Sequence, residues 1–79
     1  MKQLLAPADL GRRLRLVRHH TGLKQVAVAQ RVGCSDVALS HWECGKSTPP
    51  LLFALALAEV YGMSIEDLVC VSDGKVRWE

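Results

Sequence analysis

The sequence predicts an all-α domain of five short helices, and three observations support that fold class. Apolar residues recur at i, i+3 or i+4 spacing through most of the chain, which is typical of helices that bury one face. Residues that start or stop helices separate these segments, chiefly Pro and Ser before them and Gly after them. The 79 residues, 49% of them hydrophobic, are enough for one compact core but not for two.

The first predicted helix covers residues 7 to 20. Pro7 suits a first turn, because the N–H that it lacks would have no helical partner there. The apolar residues of this segment recur at i, i+4 and i+7 and form one stripe: Leu10, Leu14 and Val17. Gly22 follows the segment, and a glycine at this point favours the left-handed turn that ends many helices.

Two further helices are predicted close together, over about residues 24 to 32 and 35 to 44, with Gly33 between them. Ser35 is placed to cap the second of the pair by accepting a hydrogen bond from a first-turn N–H. Leu39 and Trp42, three residues apart, are expected to point into the core. Because the connection is only two or three residues long and includes a glycine, the pair is predicted to cross as a helix-turn-helix unit.

The last two helices are predicted from capping signals. Thr48 followed by Pro49 indicates the start of a fourth helix, which Gly62 ends. Its buried stripe is predicted to consist of Leu51, Leu55 and Ala58. Ser64 and Asp67 have the spacing of a capping box and predict a short fifth helix over residues 65 to 69.

The chain end differs from the helical domain, which is assigned to residues 1–69. Residues 70–79 contain Asp73-Gly74 between two alternating stretches, a pattern typical of a β-hairpin. A turn centred there would place four side chains on one apolar face, with Val71 opposite Val76 and Val69 opposite Trp78. The alternative is a frayed chain end without fixed structure.

Charge and cysteine content narrow the classes of function. Residues 1–48 have a net charge of +5 and residues 49–79 one of −3, so the first half would face a polyanion. The sequence has no apolar run of membrane-spanning length and no secretion signal at its start, so a cytoplasmic location is expected. Three cysteines without Cys-x-x-Cys spacing favour free thiols over a metal site built from Cys34, His41 and Cys44.

Over residues 10–69 the chain resembles the Cro and phage-repressor family of helix-turn-helix domains, often called XRE-like. The segment LGRRLRLVRHHTGLKQ is similar to the family's first helix and the entry to its second. VAQRVGCSDVALSHWECGKSTP is similar to its second and third helices, and LALAEVYGMSIEDLV to its last two. The resemblance implies a five-helix, lambda-repressor-like fold whose third helix enters the major groove of double-stranded DNA.

The resemblance also implies roles for single positions. Gln25, at the start of the second helix, is expected to reach a DNA phosphate, and the loop at residues 45–47 to contact the DNA backbone. Arg18 and Glu43 are expected to form a structural ion pair that links the first helix to the end of the third. Lys24 stands where the family usually has a Ser or Thr cap, which adds a cation near phosphate. The predicted phosphate-binding residues are Arg13, Lys24, Gln25, Lys46 and Ser47.

The third helix lacks the side chains that discriminate bases most strongly. Its predicted base-contacting residues are Ser35, Asp36, Val37, Ser40 and His41. Since none of these is an Arg for guanine or a Gln for adenine, one copy is expected to bind weakly. Two copies on a palindromic operator are therefore predicted, in a homodimer whose interface uses Leu52, Phe53, Val71, Val76 and Trp78.

Together these features predict a sequence-specific transcriptional regulator, a homodimeric repressor with residues 35–44 in the major groove. A toxin or another protein is a further expected partner, because some antitoxins consist of this domain without an effector domain. The alternative is a protein–protein adaptor that kept the fold and lost DNA binding, which the apolar Val26 and Ala27 and the acidic Asp36 favour. No cofactor and no enzymatic activity are expected, because the sequence contains no nucleophile–base set and no phosphate-binding Gly loop.

Overall fold

A computed structural model describes residues 3–71, and this part of the chain forms five helices. They are α1 (Pro7–Thr21), α2 (Gln25–Val32), α3 (Asp36–Glu43), α4 (Leu51–Val60) and α5 (Ile65–Val69). α3 packs on α1 and α2, α4 packs on α2, and α5 packs on both α1 and α4. The predicted all-α fold class and five-helix order are confirmed.

Four of the predicted start and stop signals of helices are confirmed. Gly22 and Gly33 adopt the left-handed conformation, with φ of 77° and 88°, and end α1 and α2. The Ser35 hydroxyl accepts a hydrogen bond from the Ala38 N–H at 3.0 Å and caps α3. Ser64 caps α5 in the same way, accepting from the Asp67 N–H at 3.0 Å.

α4 differs from its prediction in both its start and its buried face. It begins at Leu51 after Pro50, so Thr48 and Pro49 precede the helix rather than open it. The residues that face the core are Ala54, Leu57 and Ala58, whereas Leu51 is 70% exposed and Leu55 43%. The predicted stripe of Leu51 and Leu55 is wrong because nine of the ten residues of α4 are apolar, and their pattern indicates no preferred face.

A single core joins the five helices. Its fully buried side chains are Leu14, Val28, Leu39, Leu57 and Leu68, so each helix contributes one. The burial of these residues removes apolar surface from water and supplies the main favourable term for folding. The core cluster contains residues of all five helices, and the opposite face of α3 lies outside it.

α1 and α3 approach each other closely at Gly11. A Cβ atom built on Gly11 would lie 2.7 Å from the backbone carbonyl oxygens of both Trp42 and Glu43. It would also lie 2.9 Å from the Gly45 nitrogen. Because these are backbone atoms at the end of α3, they cannot move aside without displacing the helix. Gly11 therefore sets the distance between α1 and the end of α3.

The two ends of the described chain pair with each other. The Leu5 N–H donates to the Val69 carbonyl at 2.8 Å, and the Val71 N–H donates to the Gln3 carbonyl at 2.7 Å. Val69 is the last residue of α5, so its predicted role as a hairpin strand residue is wrong. The remainder of the predicted hairpin, with Val76 and Trp78, lies outside the described residues.

Candidate nucleic-acid interface

α3 has one buried face and one exposed face. Leu39 is completely buried and Trp42 is 6% exposed. On the opposite side all five predicted base-contacting residues are accessible, with Ser40 partly buried and the others exposed: Ser35, Asp36, Val37, Ser40 and His41. Val37 alone exposes 60% of its surface. The exposed face of α3 is therefore open to a partner molecule.

A buried ion pair fixes the C-terminal end of α3 to α1. Arg18 Nε donates to Glu43 Oε2 at 2.7 Å, and Arg18 Nη2 donates to Glu43 Oε1 at 3.0 Å. Arg18 is 9% exposed and Glu43 3%, and the hydrogen bond to Glu43 raises the pKa of the Arg18 guanidinium. The structural pair that the resemblance implies is thus formed. A two-point contact of this kind fixes both the distance and the angle between α1 and the end of α3.

The Glu43 carboxylate also binds the start of α2. Gln25, the first residue of α2, donates from Nε2 to Glu43 Oε1 at 3.0 Å. One carboxylate therefore joins α1, α2 and α3. The side-chain amide of Gln25 has a second N–H, so this contact is compatible with the phosphate-binding role predicted for it.

The loop after α3 follows directly from the helix. The Lys46 N–H donates to the His41 carbonyl at 3.0 Å, and the Gly45 N–H donates to the Trp42 carbonyl at 3.2 Å. Gly45 has a φ of 76°, which allows the chain to turn away at once. The side chains of Lys46 and Ser47, like that of Lys24, are exposed. Their predicted contacts with phosphate remain predictions.

Arg13, one of the predicted phosphate-binding residues, contacts the end of α5. Its Nη1 donates to the Asp67 carbonyl at 2.9 Å and to the Cys70 carbonyl at 2.5 Å. A guanidinium that binds the free carbonyls at the end of α5 stabilises that helix end. The predicted contact of Arg13 with phosphate remains a prediction.

Arg15, for which the sequence predicted no role, lies at the end of α3. Its Nη2 is 3.8 Å from Cys44 Sγ, and its Nε is 3.9 Å from Glu43 Oε1. Helical spacing is the signal that could have indicated this place. Arg15 precedes Arg18 by about one turn, so the two share a face of α1, and the resemblance pairs Arg18 with Glu43.

Two of the predicted dimer residues differ in exposure. Leu52 is 77% exposed, whereas Phe53 is partly buried and packs on Trp42 with ring centroids 5.6 Å apart. The Phe53 ring therefore supports α3 from the core side. Val71 is 45% exposed.

The three cysteines are free thiols, with Cys70 buried, Cys34 partly buried and Cys44 exposed. Burial raises the pKa of the Cys34 thiol. Among residues 3–71 no group of three His, Cys, Asp or Glu side chains is placed to hold a metal ion. No helix in this part of the chain is both long enough and apolar enough to cross a membrane.

Comparison with known proteins gives one family model and several similar structures. Residues 9–69 match a family model described as a helix-turn-helix domain. The P22 c2 repressor, solved in complex with a synthetic operator, is 34% identical and superposes with a TM-score of 0.72, covering 75% of this chain and 89% of that one. The solution structure of the P22 c2 DNA-binding domain is 32% identical, with a TM-score of 0.72 and coverage of 85% and 91%.

A third similar structure comes from a different regulatory system. The restriction–modification controller protein C.AhdI from Aeromonas hydrophila is 28% identical, with a TM-score of 0.74, and the match covers 77% of this chain and 92% of that one. No curated protein sequence matches the chain significantly.

Proposed function

The chain belongs to the helix-turn-helix domain family, and from this premise we propose that it is a sequence-specific DNA-binding transcriptional regulator that acts as a homodimeric repressor. In this proposal α3 lies in the major groove, and the loop after it contacts the DNA backbone. The P22 c2 repressor, to which the chain is similar, was solved with operator DNA, and this supports the DNA-binding part.

The observation that carries the proposal is the division of α3 into two faces. Leu39 and Trp42 anchor the helix in the core, and Glu43 fixes its end to α1 through Arg18. Within residues 3–71, the side chains of the opposite face make no hydrogen bond or ion pair with the rest of the protein, apart from the bond by which Ser35 caps the helix. A short helix held rigidly with one face exposed can enter a groove without first rearranging.

The exposed side chains support a modest discrimination between bases. His41 can donate to or accept from a base edge, and Asp36 can accept from a cytosine amino group. The methyl groups of Val37 suit contact with a thymine methyl. Ser35 and Ser40 can bond to several bases and discriminate weakly. We therefore expect sequence specificity to come from several weak contacts with bases, added together.

Backbone contacts are assigned to Lys24, Gln25, Lys46 and Ser47. The first N–H groups of α2 have no side-chain cap, because Lys24 occupies the N-cap position. Uncapped N–H groups at a helix start favour an anion, and Lys24 beside them adds positive charge. Contacts with phosphate supply affinity and register rather than sequence preference.

Dimerisation is supported by the apolar surface of α4. Leu51 and Leu52 are 70% and 77% exposed at the first turn of the helix. Exposed leucines next to each other are typical of a protein–protein contact. A second copy would double the number of weak base contacts on a palindromic site. A toxin or other protein partner remains a prediction of the resemblance.

The decisive experiment is a DNA titration at two salt concentrations. We expect the protein to bind random duplex DNA with a strong salt dependence, and to select a palindromic site from a pool of random duplexes. The adaptor function would instead give no salt-dependent binding and no selected sequence. Sedimentation of the selected complex is expected to show two protein chains per site.

A pair of histidine variants tests the base-contacting role of α3. His41→Ala is expected to weaken binding to the selected site more than binding to random DNA. His20→Ala, an exposed histidine near the end of α1, is the matched control and should affect neither. Equal losses of His41→Ala on both DNAs would make His41 a backbone contact.

A further inference from the structure

The four arginines of α1 differ in what their guanidinium groups bind. Arg12 pairs with Asp9 one turn earlier. Arg13 donates to the carbonyls at the end of α5, and Arg18 binds the Glu43 carboxylate at two points. Arg15 remains, and its position at the end of α3 requires a separate explanation.

The contacts that Arg15 makes are weak. Nη2 lies 3.8 Å from the Cys44 sulfur, which is a poor acceptor, and Nε lies 3.9 Å from Glu43 Oε1. That oxygen already accepts from Arg18 at 3.0 Å and from Gln25 at 3.0 Å. The Arg15 side chain is 51% exposed, and a guanidinium has five donor N–H groups. Most of these donors are therefore available to a ligand outside the protein.

The neighbours of Arg15 indicate the class of that ligand. Cys44 is the residue immediately before the loop at 45–47, and Gln25 at the start of α2 shares the same Glu43 oxygen. Arg15 thus lies between the two segments that the proposed function assigns to the DNA backbone. We propose that Arg15 binds a backbone phosphate of the DNA at the C-terminal end of α3. This inference rests on the proposed function and adds a residue from α1 to the contact surface.

The chemistry of the guanidinium fits this role. A planar fork with parallel N–H groups binds two phosphate oxygens at once, which a lysine cannot do. The buried Glu43 carboxylate attracts the guanidinium and limits how far it can move from the end of α3. Because α1 is packed on α3 at Gly11, a phosphate bound by Arg15 would be fixed relative to the helix that contacts the bases.

The test compares Arg15→Gln with Arg12→Gln, which removes the same charge from an exposed position of the same helix. Binding is measured for each variant at several salt concentrations, on the selected site and on random duplex DNA. We expect Arg15→Gln to lower affinity by a similar factor on both DNAs and to make the slope of log K against log salt shallower by about 0.9. Arg12→Gln is expected to leave the slope unchanged. Thermal unfolding verifies that both variants fold.

Arg15→Lys is the second variant, and it separates charge from geometry. It is expected to keep the salt slope of the wild type and to lose affinity, because the charge remains and the two-point contact does not. An unchanged slope in Arg15→Gln, or an equal change in Arg12→Gln, would overturn the assignment while leaving the proposed function intact. Wild-type protein that binds no DNA would instead overturn both.

Discussion

α3 and α4 are helices of similar length whose sequences constrain them very differently. α3 has the sequence DVALSHWE, in which the two large core residues, Leu39 and Trp42, share one face with polar and small residues around them. α4 has the sequence LLFALALAEV, in which every residue except Glu59 is apolar. The pattern of α3 permits only one face to be buried, whereas the pattern of α4 permits several.

The difference determines what each helix leaves exposed. α3 exposes an acid, a histidine, a serine hydroxyl and one valine, which suits the polar edges of bases. α4 exposes Leu51, Leu52 and part of Leu55, which suits another apolar surface. The two helices are thus expected to face different classes of partner, DNA for α3 and protein for α4. Four variants, two of them with a matched control variant, test how each helix is packed.

The largest effect is expected at the polar anchor of α3. Glu43→Gln leaves the Arg18 guanidinium buried without a counter-charge, which should lower the free energy of unfolding by about 3 to 5 kcal/mol. Urea denaturation measures the change. Glu59→Gln, on the exposed side of α4, is the control and should remain within about 0.5 kcal/mol of the wild type. Similar losses in the two variants would mean that Glu43 does not anchor α3.

The next effect concerns which face of α4 is buried. Leu57 is completely buried, so Leu57→Ala should lower the free energy of unfolding by about 2 to 5 kcal/mol. Leu55→Ala removes the same atoms from a side chain that is 43% exposed, and we expect less than half of that loss. Measurement at two protein concentrations separates any contribution from dimerisation. A larger loss of stability for Leu55→Ala than for Leu57→Ala would mean that the buried face of α4 is the one predicted from the sequence.

A smaller effect is expected where α1 touches the end of α3. Alanine in place of a helical glycine usually stabilises by about 1 kcal/mol. At Gly11 the added Cβ would lie 2.7 Å from two backbone oxygens, so Gly11→Ala should instead destabilise by about 1 to 3 kcal/mol. Thermal unfolding gives the sign directly, and a gain in stability would contradict the close contact between these helices.

The smallest effect is expected at Tyr61, which caps the C-terminal end of α4. The buried Tyr61 hydroxyl has no hydrogen-bond partner in the described part of the chain, so Tyr61→Phe should stabilise by about 1 kcal/mol. Burial, with the charge of Glu43 as a second cause, raises the pKa of Tyr61 above its ordinary value. In the unfolded chain the tyrosine ionises near pH 10, whereas in the folded chain Tyr61 is still protonated at that pH.

The pH dependence follows from this difference in pKa. The stability of the wild type should be unaffected by Tyr61 below about pH 10 and should fall as the pH rises above it. The advantage of Tyr61→Phe should therefore grow in that range. Because the chain contains a single tyrosine, its ultraviolet absorbance follows the ionisation directly. Ionisation of the folded protein near pH 10 would show that the hydroxyl is solvated.

Prediction from the sequence succeeded where a local signal had one physical interpretation. Ser35 and Ser64 cap helices because their hydroxyls reach an N–H three residues later, which is a contact within one turn. Gly22 and Gly33 end helices because a left-handed φ favours glycine. Leu39 and Trp42 are buried because they are large apolar residues that lie three positions apart on one face of α3.

The assignment of the α1 arginines could not be predicted from local signals. Arg13 and Arg15 are two residues apart in a run of similar side chains, and helical spacing favours Arg15 only once Arg18 is paired with Glu43, a residue 25 positions away. Which arginine faces the end of α3 depends on how far α1 is rotated about its axis. That rotation follows from the packing of Gly11 against Trp42 and Glu43 and from the pairing of the chain ends beside α5.

The sequence by itself determined the five helices, the turn between α2 and α3 and the exposed face of α3. Each of these depends on interactions between residues a few positions apart, which a linear pattern records. The tertiary structure alone decided which face of α4 is buried, that Phe53 supports Trp42, and that Arg15 rather than Arg13 lies beside Glu43. These contacts join residues distant in sequence, and their formation depends on the fit between helix surfaces rather than on the preference of any one segment.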